Sequence, residues 1–322
     1  MRTSEQVLRY YTFYSRSLKK RSPLTGKPPE MSDVSEQTMI FGCGYLGRRV
    51  ARLAIGEGKT VWATTRQHGK QRELASEGIQ PIVADWTDRR TLSGLPEVDH
   101  LVICVSYDRK SHHNRYESQV GGLRNLLQAI SSETKICYIS TTGVYHQKDG
   151  LWVDETSPTR PTRDGGRAHL MAESLLNRRR PHTPWTILRL SGIYGPNRIP
   201  RAADVIAGRP IASPQNGFLN LIHVDDAARA VCSTMRKATR RLYVVSDDQP
   251  VIRSHFYDEI ACQTNSAKPQ FVTPDGTSPV MMRSESNKRI WNRRMKRDLV
   301  TKLQFPTYRH GLADILSHNA CR

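Results

Sequence analysis

No stretch of this chain approaches the roughly twenty consecutive apolar residues that a bilayer-spanning helix needs. The N-terminus also lacks the uninterrupted apolar core of a secretory signal, so no membrane association and a cytoplasmic location are the expectation. No C-x-x-C pair occurs. The 6 cysteines are scattered, with no His/Cys cluster at metal-ligand spacing. Cys104 and Cys137 lie inside apolar strand-like runs, so reduced core thiols and no metal site are expected. Acidic residues are scarce beside basic ones: 30 Asp and Glu against 49 Lys and Arg give a net charge of +19. Such an excess raises nucleic acid as a partner. The basic residues nevertheless fall in separate places, in the N-terminal tail, at 178–180, at 236–241 and at 288–297. They are not interleaved with aromatics in one block, which argues against a dedicated nucleic-acid surface.

The 322 residues suffice for one large or two ordinary domains with a substantial core. Residues 1–36 carry Arg2, Arg9, Arg16, Lys19, Lys20 and Arg21 among Tyr10, Tyr11, Phe13 and Tyr14, followed by the breaker-rich stretch 22–29. This is a basic, disordered tail rather than a domain. Its early arginines and serines suit an organellar transit peptide. A true start near Met31, with an extension before it, accounts for the same residues and is the stronger reading.

From Gln37 onward, short β-rich runs alternate with helical stretches, the signature of a parallel sheet built from βαβ units. Strands are expected at 38–41, 60–65, 81–84, 100–105, 136–140 and 185–190, with helices at 46–57, 70–76, 116–130, 166–177 and 227–235. The first strand runs into Gly42-Cys43-Gly44-Tyr45-Leu46-Gly47. In a glycine-spaced turn between strand and helix, Gly42 permits the tight bend, Gly44 lets the backbone approach a pyrophosphate and Gly47 lets helix and strand pack closely. These six residues read as a dinucleotide cradle. An acidic residue about twenty positions further on would accept ribose hydroxyls and disfavour a 2′-phosphate. Thr64, Thr65 and Arg66 stand there instead, so the expected cofactor is NADP, with NAD as the alternative. Asp85 at the tip of the third strand is placed to reach an adenine amino group or to cap its own turn, and Ser106 ends the fourth strand beside the crevice.

A family resemblance rests on Ser140-Thr141-Thr142-Gly143-Val144-Tyr145 with Asp154-Glu155, on residues 188–196 (Leu-Arg-Leu-Ser-Gly-Ile-Tyr-Gly-Pro), and on Ile222-His223-Val224-Asp225-Asp226. Residues 243–248, 287–290 and 305–312 continue it. The chain resembles extended short-chain dehydrogenases/reductases of the NAD-dependent epimerase/dehydratase kind over about residues 37–315, and its glycine loop resembles that of the atypical bacterial YeeZ-type members. The resemblance implies a Ser or Thr that hydrogen-bonds the reacting oxygen, a Tyr that transfers its proton and a Lys four residues on. The first role falls on Thr141. The Tyr and Lys positions fall on Gly165 and His169, a departure from the family pattern.

Two readings follow. In one, another acid serves: His169 titrates near neutrality, and Tyr145 or Tyr107 approaches the nicotinamide. In the other, the chain keeps nucleotide binding without hydride chemistry. Arg198, Arg201 and Arg209 suit a diphosphate clamp or the solvent. Asp225 and Asp226 open a helix, so N-capping is expected of at least one. The expected fold class is α/β, a doubly wound parallel sheet (Rossmann) with a smaller C-terminal substrate-binding domain. Residues 37–196, with later elements near 220–246, would bind the dinucleotide, 197–315 mostly the substrate, and 316–322 form a tail. The expected function is an NADP(H)-dependent epimerase/dehydratase-like oxidoreductase acting on a small hydroxyl or carbonyl compound or a nucleotide sugar. A non-catalytic dinucleotide-binding or redox-sensing protein is the alternative, and monomer or homodimer stays open.

Overall fold

Successive side chains of a strand point to opposite faces, and in β1 (Gln37–Phe41) Ile40 faces one way while Met39 and Phe41 face the other. All three are buried, so the sheet must be covered on both sides. The computed structural model describes residues 35–273 and 287–319. The expected N-terminal extension therefore lies outside the described residues except for its last two positions, as do 274–286 and the end of the expected tail.

After β1 come α1 (Tyr45–Gly56), β2 (Thr60–Thr65), α2 (Gln71–Ser76), β3 (Gln80–Val83) and β4 (His100–Ile103). The chain continues through α3 (Gly122–Ala129), β5 (Lys135–Thr141), β6 (Leu151–Val153), α4 (Asp164–Arg179), β7 (Trp185–Leu190) and β8 (Gly192–Tyr194). Next are α5 (Ala202–Ile206), β9 (Ile211–Ala212), β10 (Phe218–Leu219), β11 (Leu221–His223), α6 (Val224–Lys237) and β12 (Leu242–Val245). β13 (Val251–Ile252), α7 (Arg253–Gln263), β14 (Phe271–Val272), β15 (Lys288–Ile290), α8 (Arg293–Asp298) and α9 (Tyr308–Asn319) complete the order.

Seven strands form one sheet in the order β12-β7-β5-β4-β1-β2-β3, parallel throughout. This is the doubly wound Rossmann arrangement. The strand order reverses between β1 and β4, and ligands of such sheets bind outside the carboxyl ends at that switch point. Helices α1, α6 and α8 bury Val50, Ala54, Val231 and Met295 against Ile40 and Val102 on one face. On the other, α3 and α4 bury Leu123, Leu126 and Leu176 against Met39, Phe41 and Tyr138. Each fully buried Leu or Met side chain contributes roughly 1.5–3 kcal/mol. A third core gathers Tyr194, Phe256, Ile260, Tyr308 and Leu312 from β8, α7 and α9.

The expected strands at 60–65 and 185–190 agree with β2 and β7, while several boundaries differ. The expected helix 116–130 instead opens with a π-turn at Glu117–Gly121 before α3 begins. There the ring of Trp86 lies flat on the backbone, 2.6 Å from where a Cβ of Gly122 would stand. Helix α4 extends beyond the expected 166–177 at both ends. Helix α6 is capped by neither aspartate. His223 is its N-cap, with Nδ1 accepting the Asp225 N–H at 3.3 Å. Asp226 is fully buried and accepts the backbone N–H groups of Gln304 and Phe305, both at 2.8 Å. Asp225 pairs with Arg49 at 2.8 Å.

Candidate active site and dinucleotide crevice

The glycine turn adopts a conformation that its residue types require. Gly42 has φ +96°, and a Cβ there would lie 2.9 Å from Val105 N. A Cβ on Gly47 would lie 2.6 Å from Gly42 O and 3.0 Å from Cys104 Sγ, so α1 can lie against the strand end only if residue 47 lacks a side chain. Gly44 is the N-cap of α1, and the space beside it is open to 4 Å. No side chain caps this helix and no acid stands in its first turn, so its free N–H groups and positive dipole end are available to an anion. Two neighbours fix the turn: Thr64 Oγ1 accepts the Gly42 N–H at 3.0 Å, and Cys104 Sγ donates to Gly42 O at 3.2 Å.

Gly42, Cys43, Gly44, Arg66, Asp85 and Ser106 line one cavity of about 230 Å³. Its size and its row of open backbone groups fit the phosphate and adenosine end of a dinucleotide. The other three loop candidates serve it from outside. Tyr45 donates its hydroxyl to Pro196 O at 2.9 Å and lies under the guanidinium groups of Arg49 and Arg198. Leu46 is a core residue, and Gly47 is the packing contact just described.

At the end of β2 the two threonines are already engaged. Thr64 holds the glycine turn, and Thr65 Oγ1 accepts the Gln67 N–H at 3.1 Å. Arg66 therefore stands without them, half exposed, 2.7 Å from Asp108 and 4.0 Å from Asp85. Lys70, which the sequence reading did not single out, lines the same cavity four residues later, and that spacing was its only signal. Asp85 caps its own turn, with Oδ1 accepting from Thr87 N and Thr87 Oγ1. Arg48 pairs with Glu73 and Glu77, and Arg49 with Asp225, so neither faces the cavity.

The reaction side of the crevice departs from expectation at three residues, Tyr145, His169 and Tyr107. Tyr145 is 2% exposed and accepts a hydrogen bond from Arg189 at 2.9 Å. Burial pushes its hydroxyl up to about 12. It belongs to a packed cluster with Val144, Val153, Val244 and Ile290 rather than to the crevice. Beneath it Arg189 and Glu173 form a buried ion pair at 2.6 Å, and Ser140 donates to the same carboxylate at 2.5 Å. His169, expected to titrate near neutrality, is held neutral. Desolvation first, and the charge of Arg115 second, lower it to about 4, and Nδ1 lies 3.1 Å from the hydroxyl of the buried Tyr138.

Thr141 does remain at the carboxyl end of β5. Its Oγ1 accepts the Gly143 N–H at 3.0 Å, which fixes the oxygen and leaves its own proton free to be donated. Gly166 packs against Gly143 so closely that a Cβ on it would strike Gly143 O and come within 2.8 Å of Pro161. This contact brings the start of α4 beside Thr141. Tyr107 is not in a donating position, since its hydroxyl is bound to His113 O at 3.2 Å and its ring lies beneath Arg115. Of the three expected clamp residues, Arg201 and Arg209 share Asp204, and Arg198 lies over Tyr45.

Comparison with known proteins follows this geometry. The Escherichia coli (strain K12) protein YeeZ is 27% identical over 248 residues, covering 73% of this chain and 86% of that protein. A conserved protein of unknown function from Silicibacter pomeroyi DSS has a similar structure. Its TM-score is 0.69 at 28% identity, over 88% of this chain and 99% of that one. Thermotoga maritima UDP-glucose 4-epimerase with UDP-glucose superposes with a TM-score of 0.76 at 16% identity, over 88% and 99% of the two chains, which shows a shared fold. The family model for the NAD dependent epimerase/dehydratase family matches residues 39–246. With the switch-point cradle and the parallel sheet, that match establishes that the chain belongs to the NAD dependent epimerase/dehydratase family.

Proposed function

We propose that the protein is an NADP(H)-dependent oxidoreductase of epimerase-like type acting on a small hydroxyl or carbonyl compound, with nucleotide sugars among the candidates. The observation that carries the cofactor choice is the end of β2, where Arg66 stands in place of an acidic residue and lines the cavity with Lys70, the carboxylates of Asp85 and Asp108 coming from later loops. A guanidinium forms bidentate contacts to phosphate oxygens, and the pair with Asp108 opens when a 2′-phosphate competes for it. The cradle 42–47 would bind the pyrophosphate through open N–H groups at the start of α1. A bound nicotinamide would supply the hydride. Thr141 would then donate its free hydroxyl proton in a hydrogen bond to the reacting oxygen. Residues 197–315 would contribute the substrate side, Arg198 among them. The epimerases similar in fold support a nucleotide sugar only by analogy, since UDP-glucose belongs to the Thermotoga maritima structure.

A second reading, a non-catalytic dinucleotide-binding or redox-sensing protein, is favoured by Gly165 and by a His169 that carries no titratable proton near neutrality. One titration series tests the first proposal. NADPH, NADH, NADP and NAD are titrated into wild type and Arg66→Ala by fluorescence or calorimetry. NADPH should bind wild type more tightly than NADH, and Arg66→Ala should lose about tenfold to a hundredfold of that preference. Equal affinity for NADPH and NADH in wild type would overturn the NADP assignment. A protein that binds dinucleotide yet oxidises or reduces it with no member of a carbonyl and sugar-nucleotide panel would be the sensor instead.

A further inference from the structure

The start of α4 holds a permanent cation where the family resemblance implies a phenol. A Cβ on Gly165 would lie 3.7 Å from Nη1 and 3.9 Å from Cζ of Arg115. The guanidinium thus stands in contact with the position where a side chain at residue 165 would begin. Gly165 is not required by backbone packing, because those distances are ordinary van der Waals contact.

Arg115 is held there by its own chain. Asn114 and Glu117 form a capping box: Asn114 Oδ1 accepts the N–H groups of Tyr116 and Glu117 at 2.9 and 3.0 Å, and Glu117 Oε2 accepts the Asn114 N–H at 2.8 Å. The side chain between them lies on the Tyr107 ring, 4.3 Å from its centroid. Tyr116 reaches across to Asp164 on α4 at 3.3 Å, tying the two helix starts together. The guanidinium is half buried, and among the described residues no carboxylate forms an ion pair with it. A partly buried guanidinium on an aromatic platform, with no carboxylate paired to it, is preorganised for an incoming oxyanion.

We propose that Arg115 binds an anionic group of the substrate, a carboxylate or a phosphate, in the space left by Gly165. The site thereby selects acidic substrates where its relatives place a proton donor. This inference rests on the dinucleotide reading above and names the substrate class for that same crevice. Arg163 stands on the same side, its guanidinium 3.9 Å from the Cβ position of Gly143. Its charge adds to burial in lowering the neighbouring Lys288 to about 8. The surroundings are thus basic on both sides of Thr141.

Oxamate and methyl phosphate serve as probes of the two sources of charge, titrated by calorimetry into the full-length protein with and without saturating NADPH. Wild type should bind at least one of them, and the stronger one identifies the source. Arg115→Met should weaken that binding about tenfold to a hundredfold and Arg115→Lys should restore part of it. NADPH affinity and melting temperature should stay unchanged in both variants. Gly165→Tyr, which displaces the guanidinium while leaving the arginine in the sequence, should weaken the same probe by a similar factor. Failure of both anions to bind wild type, or equal binding by Arg115→Met, would overturn the proposal while NADPH binding still upheld the dinucleotide reading. Arg115-dependent anion binding in a protein that takes up no dinucleotide would instead sink that reading and leave the anion site standing.

Discussion

The turn from β1 into α1 and the junction where the start of α4 meets the end of β5 use the same packing device. In each, a glycine in the first turns of the helix lies against a carbonyl of the preceding strand end: Gly47 against Gly42 O, Gly166 against Gly143 O. A side chain at either position would force helix and strand apart. The two turns differ in what they present to the crevice. The first leaves the space beside Gly44 open above uncapped N–H groups, while the second is filled by the Arg115 guanidinium beside Gly165. Backbone packing is therefore preserved at both, whereas the chemistry at the second is rewritten by one residue arriving from a different loop. Steric demands of a fold and chemical demands of a reaction are separable even at adjacent positions.

Several substitutions sharpen or break that comparison. The largest effect is expected beneath the second turn. Glu173→Ala strands the Arg189 guanidinium in the core and should cost about 3–5 kcal/mol in urea unfolding. A cost below about 1 kcal/mol would show that the ion pair does not anchor this region. Gly47→Ala and Gly166→Ala should each destabilise by about 1–3 kcal/mol through forced backbone shifts. Only Gly47→Ala should also weaken NADPH binding, by tenfold or more, and loss of NADPH binding in Gly166→Ala as well would mean the two turns are not separable.

Acid gives the next effect. His169 has a folded pKa of about 4 against an ordinary 6.5, so between those values the unfolded chain holds a proton that the native chain lacks. Stability contributed by the neutral imidazole is complete above pH 6.5 and is lost as pH falls towards 4, by up to about 3 kcal/mol. His169→Leu should flatten that part of the stability profile, and an unchanged slope would count against a desolvated His169. The smallest effect belongs to Gly165→Ala, which should shift stability by less than about 1 kcal/mol. A penalty matching that of Gly166→Ala would erase the difference between the neighbouring glycines.

Much of the first turn was legible in the sequence, because its glycines answer first to local geometry: a bend with positive φ at Gly42 and a close contact of Gly47 with Gly42 O five residues back. Short β-rich runs between helical stretches marked β2 and β7 to the residue for the same reason. The reaction side was less legible, since its facts are long-range. Tyr145 reads as a crevice tyrosine until Arg189, 44 positions away, takes its hydroxyl into the core. Thr64 reads as a phosphate ligand until the glycine turn claims it. Arg115 carries only a faint mark, the Asn-x-x-Glu box around it, and nothing in the linear chain reveals that it meets Gly165. His223 as a helix cap was hidden by two aspartates of better capping propensity.

Those aspartates have one more consequence. Asp226 sits at zero exposure, and its two carboxylate oxygens are satisfied by main-chain N–H groups of Gln304 and Phe305, 78 and 79 residues further along. Arg229, one turn along α6, pairs with the same carboxylate at 3.2 Å, so the buried charge is held jointly by its own helix and by the last part of the chain. A nick or premature stop before residue 304 would remove both main-chain donors and leave Arg229 as the partner of a carboxylate buried in that helix layer. Damage to the end of the polypeptide would then be felt at its centre, as a loss of stability where α6 meets the sheet.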